Sequence, residues 1–267
     1  MINILYIAPK LKVYYEILAR ELRELFVRGI YRQTYLPLPR GLEAELVRYV
    51  LKKDFKGFIL SILDLLELPE VYYKSFHYLK PLFKALENLA SRMEELEVYC
   101  YLDPSSERMR LLTSSEVVAL IARTMFLEEV PLKEWKKLLE SHKRVITENE
   151  LRYIVRNIET PFIIITGFEG RLLKKLLLEH GFKTSLKYVA PYIFTPLEQL
   201  IRIASSRSLS NQEIKELVLG HCRYIKEYIL PCKDVDEAYL KWISEIKWYP
   251  YNVVRSRILR KQGEILS

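Results

Sequence analysis

Asp103 and Glu169 are the two carboxylates that this sequence places best for acid–base chemistry. Each immediately follows a stretch that reads as a strand: residues 96–102 run into Asp103-Pro104-Ser105-Ser106, and Phe162–Ile165 runs into Thr166-Gly167-Phe168-Glu169-Gly170. In parallel α/β sheets the carboxyl ends of strands border the crevice where ligands gather. Both carboxylates are therefore candidates to share one cleft, with Arg108, Arg144 and Glu150 able to join them. Paired carboxylates act as acid and base when their surroundings separate their pKa values, and Arg108 or Arg144 would steady an anionic centre. The same residues also carry a structural reading. Asp103 can begin a turn before Pro104, and Glu169 can cap a helix.

Other chemistries find less support. The first strand is followed by Ala8-Pro9-Lys10-Leu11-Lys12 without a glycine, so the dinucleotide fingerprint is absent, and no Walker loop occurs. The turn 166–170 opens a helix whose amino end favours anions, but Glu169 stands there and would repel a phosphate. His221-Cys222 with Cys232 could supply soft metal ligands. Yet Ile214, Leu217, Val218, His221, Cys222, Ile225 and Ile229 recur on one helical face, which a core histidine and cysteine explain. The three cysteines form no Cys-x-x-Cys pair, against both a disulfide framework and a zinc knuckle. No cofactor and no metal are expected.

A net charge of +8 would help a nucleic-acid backbone or an acidic protein to approach, or it marks a lysine-rich solvated surface. Two basic stretches fit a nucleic-acid interface: Arg48, Lys52, Lys53 and Lys56, and the carboxyl-terminal Arg255, Arg257, Arg260 and Lys261, which are interleaved with Tyr249 and Tyr251. Arginines among aromatics suit phosphate contacts and base stacking. The terminal stretch equally suits an amphipathic helix docking Val254 and Ile258.

The elements that would position these residues follow from periodicity. Half of the residues are apolar and 28% are charged, a globular composition. Strands are predicted over residues 2–8, 31–38, 96–102, 162–165 and 184–189, separated by stretches of helical spacing. Phe162 to Val189 reads as an inner strand–helix–strand crossover, with Leu172, Leu173, Leu176 and Leu177 on the helix and Gly181 at its end. Ser or Thr followed three residues later by Glu marks helix starts at Thr113, Thr147, Thr195 and Ser210, and Pro196 strengthens the third. Pro81 should kink or divide a helical stretch over 71–89. The expected fold is α/β, a mainly parallel central sheet flanked by helices over residues 1–190, with a helical subdomain over 191–267. No apolar run approaches a bilayer span, and residues 1–8 lack the order of a secretion signal, so a soluble cytoplasmic protein without membrane partners is expected. Abundant Lys, Arg and Glu with scarce His lean towards a thermophile.

From Tyr31 onward the order of elements resembles the TraB/ChaN/erythromycin-esterase-like superfamily. Tyr35-Leu-Pro-Leu-Pro-Arg-Gly-Leu-Glu43, Thr147-Glu-Asn-Glu-Leu-Arg-Tyr-Ile-Val-Arg-Asn157 and Ile163-Ile-Ile-Thr-Gly-Phe-Glu169 are similar to that group's second strand, a later helix and a later strand and turn. The resemblance covers roughly residues 2–190 and implies a parallel core sheet and a hydrolase-like scaffold. Three polar positions depart from the family pattern. Pro9-Lys10-Leu11 stands where a histidine is expected, Pro37 where a glutamate is, and Glu169 where a second histidine is. The resemblance thus implies a degenerate scaffold that binds a ligand or partner, with Asp103 and Glu169 carrying any chemistry that remains.

Overall fold

A computed structural model describes residues 2–90, 96–141, 147–159 and 161–246. Five strands form one all-parallel sheet, β1 (Asn3–Ile7), β2 (Gln33–Pro39), β3 (Glu97–Leu102), β4 (Phe162–Thr166) and β5 (Thr184–Tyr188), in the order β3-β2-β4-β1-β5. The α/β class and the parallel sheet expected from the sequence are what is found. β4, Phe-Ile-Ile-Ile-Thr, is wholly buried, as a strand covered on both faces must be. The crossover from β4 through α8 (Gly170–Glu179) to β5 forms, with β1 lying between its two strands, so that β4 is inner and β5 is an edge.

The strand order dictates where the helices go. α1 (Lys12–Val27) carries the chain from β1 past β4 to β2, whereas α8 carries it from β4 past β1 in the opposite direction. Right-handed crossovers in opposite directions lie on opposite faces of a sheet. On one face Leu173 and Leu177 of α8, with Leu151 and Ile154 of α7 (Glu148–Asn157), pack on Leu5, Tyr35, Phe162 and Ile164. α1 packs instead on α4 (Lys80–Ala90). Gly170 permits the close approach of α8: a Cβ there would lie 2.6 Å from Thr166 Cγ2 and 3.0 Å from Ile7 Cγ1.

α2 (Glu43–Lys52) and α3 (Phe55–Leu65) divide at Asp54, whose side chain accepts from the Gly57 amide. A 3₁₀ segment over Glu70–Leu79 gives way to α4 at Lys80-Pro81, the division expected at the proline. α5 (Pro104–Leu127) differs from expectation. Thr113 does not begin a helix, because Asp103-Pro104 has already begun it; Thr113 Oγ1 donates back to the Met109 carbonyl at 2.9 Å. The other three Ser/Thr–Glu starts form reciprocal capping boxes: Thr147 on α7, Thr195 on α9 (Pro196–Ala204) and Ser210 on α10 (Asn211–Tyr224).

The chain falls into two compact units. One holds described residues 2–108 and 147–191, with the sheet; the other holds 109–141 and 192–246. The helical unit therefore draws on the middle of the chain as well as on residues beyond 191. Its core explains why: Val117 and Ile121 of α5 and Trp135, Leu138 and Leu139 of α6 (Leu132–Ser141) pack with Leu200, Ile214, Val218 and Cys222. After α10 the chain makes one π turn over Ile225–Ile229 and then α11 (Val235–Glu245). No helix among the described residues is long and apolar enough to cross a membrane.

Candidate functional site

The carboxyl edge of the sheet is where the strand ends deliver charged side chains. Asp103 ends β3 and caps α5. Its Oδ1 accepts from Ser105 Oγ at 2.5 Å, from the Ser106 amide at 3.0 Å and from Ser106 Oγ at 3.1 Å, while Oδ2 accepts from Arg40 Nη2 at 2.6 Å. The Ser105 hydroxyl, then the two Ser106 donors and Arg40, outweigh burial and hold the carboxyl down at about 2. A group so stabilised as its anion is a poor proton donor near neutrality.

Glu150 is fully buried. Its Oε2 accepts from the Thr147 amide at 2.8 Å and its Oε1 from the Asp103 amide at 3.2 Å, so the capping box of α7 also ties down the end of β3. A buried carboxylate needs such donors. Glu169 precedes α8, and its Oε1 accepts from the Gly167 amide at 3.1 Å and Thr166 Oγ1 at 3.4 Å. It lies near the buried phenols of Tyr101 and Tyr15, both protonated well above the usual range. Burial is the main cause; Glu169 adds to it at both, and Tyr78 also at Tyr15. Tyr101 Oη donates to the Ile165 carbonyl at 3.1 Å. β2 separates β3 from β4, so Asp103 and Glu169 leave the sheet roughly 10 Å apart at the ordinary strand spacing. They stand at the same edge, after different strands.

Two cations from different loops meet the start of α5, and a third lies on α5 itself. Lys10, after β1, places Nζ 3.5 Å from Glu107 Oε1 and 5.8 Å from the Tyr78 ring centre. Arg40, after β2, binds Asp103 and lies 5.4 Å from the Tyr153 ring centre. Arg108, on α5 itself, reaches Glu67 Oε2 at 3.6 Å. The Nε atoms of Arg40 and Arg108 are both closed to solvent and without a hydrogen-bond acceptor. A buried guanidinium donor left unpaired is costly, which makes these two nitrogens the most telling atoms of the edge. α1, which begins beside Lys10, has no side-chain cap and no acidic residue in its first turn. Lys10, Arg40, Glu107 and Tyr101 are absent from the sequence-based site. The rule that singles out Asp103 reaches the first two, since each stands within three residues of a strand end.

The remaining candidates are placed elsewhere. Arg144, Arg255, Arg257, Arg260 and Lys261 lie outside the described residues. Arg48 pairs with Glu45 on α2 at 2.8 Å, and Lys52 and Lys53 close the carboxyl end of that helix, where cations offset its dipole. Lys56 is exposed on α3. His221 and Cys222 belong to the helical unit; burial depresses the imidazole to about 4, and Cys222 packs in the apolar core.

The hydrolase-like resemblance implies a metal-assisted or carboxylate-assisted centre. The residues present do not fit a metal: among those described, no group of three or more His, Cys, Asp or Glu is arranged to hold one, and the Asp103 and Glu150 oxygens already accept from protein donors. Comparison of the chain with protein-family models, with curated proteins and with solved structures finds no match.

Proposed function

We propose that this protein is a divergent TraB/ChaN-like scaffold that binds a small ligand bearing an acidic group at the carboxyl edge of its sheet and does not turn it over. The observation that carries the reading is that Arg40 Nε and Arg108 Nε lack an acceptor while the Asp103 and Glu150 carboxylates of the same edge are already engaged in holding the fold. Arginine presents a planar fork of donors that matches a carboxylate or phosphate. Lys10, half exposed and 3.5 Å from Glu107, adds a third cation. Asp103, kept anionic by its serines and Arg40, acts here as the residue that aims Arg40.

Calorimetric titration with a panel of small carboxylates and phosphates, followed by recovery of the ligand, tests this. The expected outcome is saturable binding at one site, weakened at least tenfold in R40A and in R108A, with the ligand recovered intact. Binding indifferent to both substitutions, or a cleaved ligand, contradicts the proposal.

A further inference from the structure

The helical unit carries an apolar surface that the sheet-edge site does not use. Phe126, near the end of α5, is 86% exposed, and Val118 stands 67% exposed two helical turns before it with Ala122 between them. Spacings of four place these three residues on one stripe of the helix. Beside the stripe opens a crevice of about 500 Å³, lined by Leu127, Val130, Pro131, Leu132 and Leu219 with charged residues at its rim. Leu127 and Leu219 are themselves 52% and 42% exposed. Scattered single apolar residues on a surface need no explanation; a continuous stripe next to a hollow that Leu127 and Leu219 line does.

The rim charges point to the occupant. Arg123 and Glu134 pair with each other at 2.6 and 2.7 Å. That leaves Lys133 and Lys215 against Glu128 and Glu129, two of each sign, and none of the four has an ion-pair partner among the described residues. A rim so balanced repels neither an acidic nor a basic partner wholesale, but it complements itself. In a twofold contact each lysine of one copy can meet a glutamate of the other, and every such pair occurs twice.

We propose that this face joins two copies of the chain in a twofold dimer, with Phe126 of each copy seated in the crevice beside Leu127 and Leu219 of the other and the Lys133/Lys215 and Glu128/Glu129 sets crossing the seam. An exposed aromatic ring next to a pocket it can fill is the usual anchor of such an interface. The inference does not depend on the ligand reading of the sheet edge.

Sedimentation equilibrium of the full chain over a concentration series tests it, with folding checked by thermal melts. The wild type is expected to dimerise. F126S and L219D should each raise the dimer dissociation constant at least about thirtyfold without a lower unimolecular melting temperature. Reversing both glutamates (E128K with E129K) should weaken the dimer, and adding K133E with K215E should restore it. A wild type that stays monomeric at the highest concentration overturns the proposal, as does a dimer indifferent to both F126S and L219D.

Discussion

The sheet unit mixes two kinds of helix start, whereas α9 to α11 of the helical unit share one. In the sheet unit α1, α2 and α8 follow a strand after a short turn and have no side-chain cap, while α3 and α7 are capped by Asp54 and Thr147. In the helical unit α9, α10 and α11 start from loops, and Thr195, Ser210 and Asp234 cap them. A strand locked in a ladder already fixes the direction in which its helix departs. A helix entered from a loop has no such guide and relies on its own amino-terminal side chains. α5 breaks the pattern: it leaves β3 directly, yet Asp103 caps it with a carboxylate that also binds Arg40. The exception falls at the sheet edge, where the candidate site is.

One motif occurs in both units at different depth, which gives the comparison its sharpest test. Glu150 and Glu213 close the same kind of capping box, but Glu150 is fully buried and also holds the Asp103 amide, whereas Glu213 lies at the surface. Glu150→Ala strands buried donors and should cost about 2–4 kcal/mol in urea denaturation, while Glu213→Ala should cost no more than about 1 kcal/mol. Equal losses would dissolve the distinction between the units.

The next effect belongs to the helical unit alone. His221 is held neutral by burial, at about 4 against a usual value near 6.5. Its folded value is depressed, so the unfolded chain binds the extra proton, and stability must fall as pH drops from 6.5 towards 4, by at most about 3 kcal/mol. Amide exchange resolved by residue should show this loss in α10 and not in β4. His221→Leu should flatten the dependence in that window; an unchanged slope would mean that another group titrates.

Asp103→Asn comes third. It keeps a capping oxygen but loses the charge, so about 1–2 kcal/mol of stability should go, read from the urea midpoint. Smallest is the substitution of Arg48, Lys52, Lys53 and Lys56 together by Ala. Their exposure and their place at a helix end predict a change within about 1 kcal/mol for the set. The same variant should leave any nucleic-acid binding of the protein unaltered in a salt titration; a marked loss would make Arg48 and those lysines an interface.

Most strands were legible as short, mainly apolar runs bounded by turn residues, Phe162–Thr166 most clearly; β5, Thr-Ser-Leu-Lys-Tyr, is the polar exception at the sheet edge. Three helix starts were legible from Ser or Thr with Glu three residues on. Thr113 misled because a mid-helix hydroxyl bonds its own i−4 carbonyl and carries the same local pattern. The allotment of 109–141 to the helical unit was not legible. It depends on which apolar faces meet, Trp135 with Leu200 and Val218, and no local spacing encodes that. The site was legible in half. Asp103 and Glu169 stand at strand ends, as read, but that Arg40 meets Asp103 follows from β2 lying beside β3. Strand order is set by the whole sheet.

The account rests on Asp103 being an anchored anion at the sheet edge and not an acid waiting for a substrate. Titration of its side-chain carboxyl carbon by NMR in the intact protein tests this most directly. The account predicts a midpoint at about 2, rising towards the ordinary aspartate value in Ser105→Ala, with the carboxyl ionised throughout the neutral range. A midpoint raised above the ordinary value would make Asp103 a proton donor and contradict it.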